Sequence, residues 1–280
     1  MKPAGYGYVF AMGMQKAMAY RADFFLSLAS CIFPIIMQVY LWTALYAAGA
    51  ADTNGYTYEQ MILYTLLAGI TSRIVATGFE NDVARDIKDG GLNKYLIKPV
   101  HYGGYCFAEF AGSKAAAVVF LLLVAAAVLG GASAWLGMPF DLLRLGLYGA
   151  SLVLAVVLNF SIFFSIALLG FWLTEISQLF GTISIVIMVI SGGVFPLDIF
   201  GPAAAAAASI LPFGYTTQFC VNIVNGQLTM NQIGLGFLAQ LGWIAVFTAL
   251  HTLLWRQGAR HYTPVGGWRG GGKRHPDGSP

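Results

Sequence analysis

Long apolar stretches almost free of charge follow one another along this 280-residue chain, and they constrain its fold more than any other feature. Hydrocarbon offers the backbone no hydrogen-bond partner, so a membrane-crossing segment satisfies its own polar groups as a helix of about 20 apolar residues. Hydrophobic residues make up 58% of the chain, against roughly 45–50% in soluble domains. The sequence therefore predicts an all-α membrane protein.

Six stretches have the length of a transmembrane helix. Only the second contains a charge, Arg73. Between the fifth and the sixth, residues 199–230 are uncharged but broken by prolines, glycines and asparagines, and their apolar pieces are too short to cross. This pattern predicts a re-entrant element before the last span. The predicted spans are Phe24–Ala50, Gln60–Phe79, Ala115–Phe140, Leu145–Thr174, Ile176–Leu197 and Ile233–Trp255.

Lysines and arginines are concentrated in three places: before the first span, between the second and third, and after the sixth. With an even number of spans these places lie on one side, and positively charged loops favour the cytoplasm. Only Arg144 falls in a loop on the opposite side. Both termini are therefore predicted to be cytoplasmic.

The two ends of the chain differ from the spans. Tyr6, Phe10 and Met14, with Lys16 off their face, predict a short N-terminal interfacial helix. Residues 261–280 are Gly-rich and predict a disordered cytoplasmic tail, which leaves residues 1–260 as one transmembrane domain. The tail sequence GWRGGGK has glycine and lysine spacing like a phosphate-binding loop, but Arg274 stands where that loop needs Ser or Thr.

Residues with catalytic or metal-binding chemistry are sparse. The four histidines and three cysteines form no metal-binding or disulfide pattern, so the sequence predicts no metal, no disulfide framework and no enzyme. The basic residues form no long run, which favours contact with membrane lipid over nucleic acid. Two rival interpretations stay open. An ion-coupled carrier would need mid-span acidic groups, and a membrane-embedded lipid-modifying enzyme would need acidic or His clusters at one face.

A polar insert, residues 80–100, separates the second and third predicted spans. Alternating charges are followed by Gly90 and Gly91, and then by Leu92, Tyr95 and Leu96 at the i, i+3, i+4 spacing of a short amphipathic helix. Pro99 would stop that helix. A helix this short is marginal alone, so its apolar face requires lipid or a protein partner.

The sequence DIKDGGLNKYLIKPV, residues 86–100, resembles a cytoplasmic loop in the membrane subunits of type 2 ABC transporters, where the pattern D-I-x-x-G-x-L…Y-L-L-x-P-V recurs. Two further stretches agree with this resemblance. YRADF at residues 20–24 resembles the entry to the first span, and SGGVFPL at residues 191–197, with LPF at 211–213 and Asn225-Gly226, resembles the region before the last span. The alanine run between Gly201 and Ser209 departs from the bulkier residues usual there.

The resemblance implies a permease subunit that binds no cofactor itself. Two copies of a cytoplasmic ATP-binding subunit would supply ATP and Mg²⁺, and a second permease subunit, identical or homologous, would complete the complex. Its expected task is export across the cell membrane (inner or plasma) of a hydrophobic or amphipathic molecule, such as a drug, a lipid-like compound or a secondary metabolite. Multidrug transport belongs to this range.

The resemblance also implies two sets of functional residues. The insert would contact the ATP-binding subunit by docking its apolar face in a groove. The late segment would supply a gate on the far side of the membrane. The contact set is Asp86, Lys88, Gly90, Gly91, Leu92, Tyr95, Leu96, Lys98 and Pro99, and the gate set is Gly192, Gly193, Pro196, Pro212 and Phe213.

Overall fold

Helices dominate the computed structural model, which describes residues 3–19, 21–49, 55–96, 101–136, 141–173 and 176–261. The predicted tail beyond His261 lies outside these residues. The helices are α1 Pro3–Ala19, α2 Arg21–Ala47, α3 Tyr58–Val75, α4 Glu80–Lys88, α5 Asn93–Leu96, α6 Tyr102–Leu136, α7 Leu142–Leu168, α8 Ser177–Ile190, α9 Pro202–Ile210, α10 Gln218–Val224 and α11 Met230–His261. Two 3₁₀ turns are η1 Leu169–Phe171 and η2 Leu197–Phe200.

Within the described residues, four stretches are long and apolar enough to cross a membrane, and they make this a multi-pass membrane protein. α2 itself is 27 residues long; its side chains are described only in part, and the apolar stretch Ile32–Ala47 within it, like the 14-residue α8, is shorter than a full span. The count of six spans therefore stays a prediction. The four stretches are Tyr58–Lys88, Tyr102–Gly131, Leu142–Phe171 and Met230–Arg260.

The fifth predicted span is shorter than expected because its helix ends early. α8 ends at Ile190 rather than at Leu197. Gly192 follows with a φ of +77°, a left-handed conformation that glycine adopts without the steric penalty of a Cβ. The two helical turns predicted between Ile190 and Leu197 are therefore not formed. An irregular connection, residues 191–229, follows α8; it contains η2, α9 and α10 and leads to α11.

The second predicted span ends early. α3 begins at the capping box of Thr57 and Gln60 and ends at Val75, four residues before the predicted Phe79. The Asn159 side chain of α7 donates a hydrogen bond of 2.6 Å from Nδ2 to the carbonyl oxygen of Val75. That bond satisfies a carbonyl left without a helical partner at the end of α3. After the break the chain resumes as α4.

α1 lies along the first half of α6, which begins at Tyr102 rather than at Ala115. Gly13 contacts the backbone of Glu109 at this crossing. Val9 and Gly13 are buried, whereas Phe10 is exposed. The interfacial face at Phe10 stays a prediction, and Gly13 and Gly112, which have no side chains, let the backbones of α1 and α6 approach closely.

Candidate functional site

The polar insert folds as two helices rather than as the single helix predicted around Leu92. α4 ends at Lys88, and Gly90 then turns the chain with a φ of +79°. The N–H of Leu92 donates to the carbonyl oxygen of Asp86 at 3.0 Å. A Cβ on Gly91 would meet the Asp86 carboxylate. The two glycines therefore allow the tight turn that leads into the single helical turn α5.

The apolar side of the insert faces the protein's own interior. Val83, Ala84 and Ile87 of α4 are buried, and Leu92 is only 1% exposed. They belong to one core cluster with residues of α7 and α8. The docking face predicted for Leu92 is thus occupied by this chain. The i, i+3, i+4 spacing identified Leu92 as a residue that needs burial. The surface that covers it, however, is the helix bundle of the same chain rather than a partner.

Aromatic side chains extend this attachment to two more helices. The Tyr95 ring lies 5.0 Å from the ring of Tyr102 and 4.9 Å from that of Tyr105, both in α6. The Tyr102 ring stacks on Trp255 of α11 at 5.1 Å, and its hydroxyl donates to Asp86 Oδ2 at 3.0 Å. Burial raises the pKa of Tyr95. The insert is therefore packed directly against α6, and through Tyr102 it is connected to α11 near the C-terminal end.

The other residues of the predicted contact set lie on the outer side or outside the described chain. Lys88, Asp89 and Asn93 are exposed, and Asp86 is half-buried beneath Tyr102. Asp89 and Asn93 were not in the predicted set; a helical wheel of α4 with Val83 and Ile87 inside would have placed Asp89 outside. Lys98 and Pro99 lie outside the described residues, and of Leu96 the structure describes the backbone only.

A cavity of about 340 Å³ lies beside the insert, between α1, α4 and α6. Its wall carries charges of both signs, including Lys16, Asp82 and Glu109. Lys16 Nζ and Glu109 Oε1 form an ion pair of 3.2 Å across the α1–α6 crossing. The hydrogen bond to Glu109 raises the pKa of Lys16, while partial desolvation opposes the shift.

The glycines of the predicted gate contact α3. The Tyr64 hydroxyl donates to the carbonyl oxygen of Gly192 at 2.6 Å. A Cβ on Gly193 would lie 2.6 Å from Ser72 Oγ, so no larger residue fits there without a shift. The connection after α8 is therefore seated against the side of α3.

The other three residues of that set lie apart in the connection. Pro196 and Pro212 are buried. Phe213 packs with a core cluster that contains Leu158 of α7 and Ile187 of α8, and that also touches Trp243 of α11. The five residues of the predicted gate therefore contact the helix bundle at several separate places along the connection and do not form one ring of side chains. Their role as a gate stays a prediction.

A partly buried hydrogen-bond network holds the same connection and was not predicted. Asp198 Oδ2 accepts from Gln218 Nε2 at 2.7 Å and from the Tyr56 hydroxyl at 3.0 Å. Gln218 Oε1 accepts from the Leu197 N–H at 3.1 Å, and the Tyr56 hydroxyl is also 3.1 Å from Asn222 Oδ1. Burial first, and then the Asp198 charge, raise the pKa of Tyr56 well above its usual value.

One sequence signal points to this network. Gln218 and Asn222 recur at i and i+4 in an otherwise apolar stretch, which places two amides on one side of α10. Buried amides require hydrogen-bond partners, so their spacing predicts a polar contact.

Among the described residues, no group of three or more His, Cys, Asp or Glu side chains is placed to hold a metal ion.

The fold and the site define a multi-pass helical membrane protein with one polar insert built into its bundle. Residues 32–266 match the family described as ABC-2 family transporter protein. The chain therefore belongs to that family, and the resemblance to membrane subunits of type 2 ABC transporters is confirmed. Membership makes it a permease subunit of an ABC transporter. Comparison with curated proteins finds no match.

Proposed function

We propose that this chain is the permease subunit of an ATP-driven exporter in the cell membrane, with both termini in the cytoplasm. ATP and Mg²⁺ bind to two copies of a separate cytoplasmic subunit, and a second permease subunit, identical or homologous, completes the pathway. Residues 1–260 form the permease domain. The concentration of Lys and Arg before the first span, in the insert and after the last span supports this orientation.

The main support for this proposal is the way in which the insert is packed against the helices of the bundle. Its inner side is packed against α6, α7 and α8 and reaches α11 through the Tyr102–Trp255 stack, while Lys88, Asp89 and Asn93 lie outside. An ATP-binding subunit that contacts the outer side and moves on ATP binding would displace the insert. Because protein interiors are densely packed, the displacement would be passed to those helices. The outer, polar side is therefore the docking surface that we assign to the ATP-binding subunit.

The proposed cargo is hydrophobic or amphipathic, in the range of drugs, lipid-like compounds and secondary metabolites. The support is compositional: five of the six predicted spans contain no charged residue, and 14% of the chain is aromatic. A pathway built from such helices offers apolar and aromatic contacts to the cargo.

The docking surface is tested with the double variant Asp89→Lys/Asn93→Lys. We expect at least a tenfold loss of the ATP-binding subunit that co-purifies with the tagged chain from its native membrane. Reversing a charge at a contact surface opposes complementary charges on the partner. A lysine just after α4 also interacts favourably with the helix dipole, so a loss of partner would not reflect a weakened helix.

Asn231→Lys is the matched control, because Asn231 is exposed at the beginning of α11, away from the insert. We expect this variant to retain the ATP-binding subunit and its ATP hydrolysis at the wild-type level. Wild-type retention by the insert double variant would overturn the docking surface. Absence of any ATP-binding subunit with the wild-type chain, together with transport driven by an ion gradient alone, would favour the carrier interpretation instead.

A further inference from the structure

A cavity of about 360 Å³ lies in the connection between α8 and α11, where η2, α9 and α10 meet the beginning of α11. Gly236 of α11 lines it. Trp255, which stacks on Tyr102 beside the insert, lies about 28 Å further along the same helix, at 1.5 Å per residue. The cavity is therefore at the opposite end of the bundle from the insert, on the predicted far side of the membrane.

Asp198 contributes a carboxylate group to the wall of this cavity. Its Oδ2 accepts both of the hydrogen bonds that this side chain receives from the described residues, one from Gln218 and one from Tyr56. Asp198 is half-buried, and Oδ1 is not among the enclosed polar atoms that lack a partner, so a ligand can reach it. Two neutral donors therefore fix the orientation of the carboxylate and leave one of its oxygens available.

The carboxylate of Asp198 has no counter-charge in the described part of the chain. Asp82, Glu109 and Asp141 each have a Lys or Arg nitrogen within 3.5 Å, whereas Asp198 forms no such ion pair with the described residues. Arg144, which is predicted on the same side of the membrane, is instead bonded to Asp141 and to two carbonyl oxygens of the connection. A carboxylate that is partly removed from water is costly without a positive partner. The cavity therefore favours a ligand that brings a positive charge.

Aromatic and aliphatic side chains form other parts of the same wall. The rings of Tyr215 and Phe219 lie with their centroids 5.6 Å apart, and both residues line the cavity. The Phe219 ring is seated against α11, where a Cβ on Gly236 would collide with it. Aromatic rings attract organic cations, and Leu228 and Leu235 add apolar surface. The wall therefore suits a cation that carries an apolar group.

We propose that this cavity binds the ammonium group of an amphipathic molecule. The ammonium N–H donates to Asp198 Oδ1 in a charge-assisted hydrogen bond, and the apolar part of the molecule lies against the aromatic and leucine side chains of the wall. Such an ammonium group belongs either to a cargo molecule or to the headgroup of an amino phospholipid. The proposal deepens the export function above and rests on it only for the identification of the bound molecule as cargo.

A medium-chain alkylamine is a suitable probe because it is protonated at neutral pH and carries an apolar chain. The purified complex, in nanodiscs of phosphatidylcholine, is labelled with a photoreactive diazirine derivative of octylamine, and adducts are mapped by mass spectrometry. We expect adducts on peptides of η2, α9, α10 and the beginning of α11. Unlabelled octylamine should compete at least tenfold better than 1-octanol at equal concentration in the bilayer, because the alcohol brings no charge.

A change of charge at Asp198 tests the proposed contact directly. Asp198→Asn keeps an oxygen that accepts from Gln218 and Tyr56 but removes the charge, so we expect at least tenfold weaker labelling that octylamine competes. Asp141→Asn is the matched control and should label like the wild type. Asp141 is exposed and lies outside the cavity wall, and asparagine caps a helix as well as aspartate does.

A change of volume tests the same cavity without altering the hydrogen-bond network. Ala205 lines the cavity from α9, and Ala205→Leu should abolish the labelling by filling the space. Ala207→Leu is the control, because Ala207 is exposed on the same helix and outside the cavity wall. Leucine is a good helix former, so both variants should retain α9 and only the first should lose the probe.

The source of the ammonium group is identified by adding phosphatidylethanolamine to the nanodiscs. Competition by this lipid would support the ammonium site and assign it to a membrane lipid rather than to cargo. Labelling that is unaffected by the lipid would support the assignment to cargo.

Equal competition by octylamine and 1-octanol would overturn the proposal, since the cavity would then not recognise the charge. Wild-type labelling of both Asp198→Asn and Ala205→Leu, or an equal loss in Asp141→Asn, would overturn it as well. Retention of the ATP-binding subunit is measured on the same samples. Failed labelling with that subunit retained contradicts the ammonium site alone, whereas charge-dependent labelling without any such subunit contradicts the proposed export function and leaves the site standing.

Discussion

The polar insert and the connection between α8 and α11 are both departures from simple spanning helices, yet different forces hold them. The insert is seated by apolar and aromatic contacts, with Leu92 in the core and Tyr95 against two tyrosine rings. The connection also packs Phe213 against a core cluster, but it adds hydrogen bonds in buried or half-buried positions, such as Tyr64 to Gly192 and Gln218 to Asp198. Close packing resists relative movement, whereas single hydrogen bonds can be exchanged for others one at a time.

This difference matches the two tasks proposed for these regions. An element that receives a push from an ATP-binding subunit must move together with its helices, which dense packing ensures. A gate must instead separate from its neighbours and return, and exchangeable hydrogen bonds permit this. The following predictions test whether packing dominates at the insert and hydrogen bonding dominates at the connection.

Truncation at Leu92 should have the largest effect. Leu92→Ala removes a fully buried side chain from the core cluster beneath the insert, and we expect a loss of about 2–5 kcal/mol in the free energy of unfolding. Thermal unfolding of the purified protein measures it. The neighbouring exposed Asn93→Ala should change stability by no more than about 0.5 kcal/mol. Equal effects of the two variants would show that the insert is not seated by packing.

Loss of the Gln218 amide should have the next largest effect. Gln218→Met keeps the size of the side chain but removes the donor to Asp198 and the acceptor for the Leu197 N–H. Each buried group left unpaired costs about 1–3 kcal/mol. Thermal unfolding should therefore occur at a lower temperature than in the wild type, and exposed Asn231→Ala serves as the control. A melting temperature equal to that of the control would refute the dependence of the connection on this network.

The Tyr56 phenol makes the same network sensitive to alkaline pH. Burial and the nearby Asp198 raise its pKa in the folded protein, so the unfolded chain loses this proton first. The protonated phenol contributes its full stability below about pH 10 and loses it progressively as pH rises further. Tyr56→Phe should lower stability at neutral pH by about 0.5–1.5 kcal/mol through its lost hydrogen bonds, but with a shallower alkaline decline. Parallel melting curves for both proteins between about pH 9 and pH 11 would contradict the burial of a protonated phenol.

The sequence predicted the features that lipid imposes and missed those that pairing of distant residues creates. The predicted fourth and sixth spans agree with α7 and α11 because an uninterrupted apolar run can only be satisfied as a helix in lipid. Periodicity identified Leu92 as buried, but it carries no information on which surface covers a residue. Tyr56 and Asp198 are 142 positions apart, so only the folded chain reveals their bond.

The ion pair between Lys16 and Glu109 should have the smallest effect, although it joins α1 to α6 on the side of the insert. Both side chains are partly exposed, at 60% and 35%, and solvent-exposed pairs contribute about 0–1 kcal/mol. The bond raises the pKa of Lys16, so the contribution is present below about pH 10.5 and is lost as pH rises above it. Lys16→Gln, compared with wild type by thermal unfolding at low and high salt, should show a small difference that disappears at high salt. A large loss of stability that does not depend on salt would mean that the Lys16–Glu109 bond, rather than the backbone contact at Gly13, attaches α1 to α6. In that case packing would hold the insert but not the adjacent helix α1.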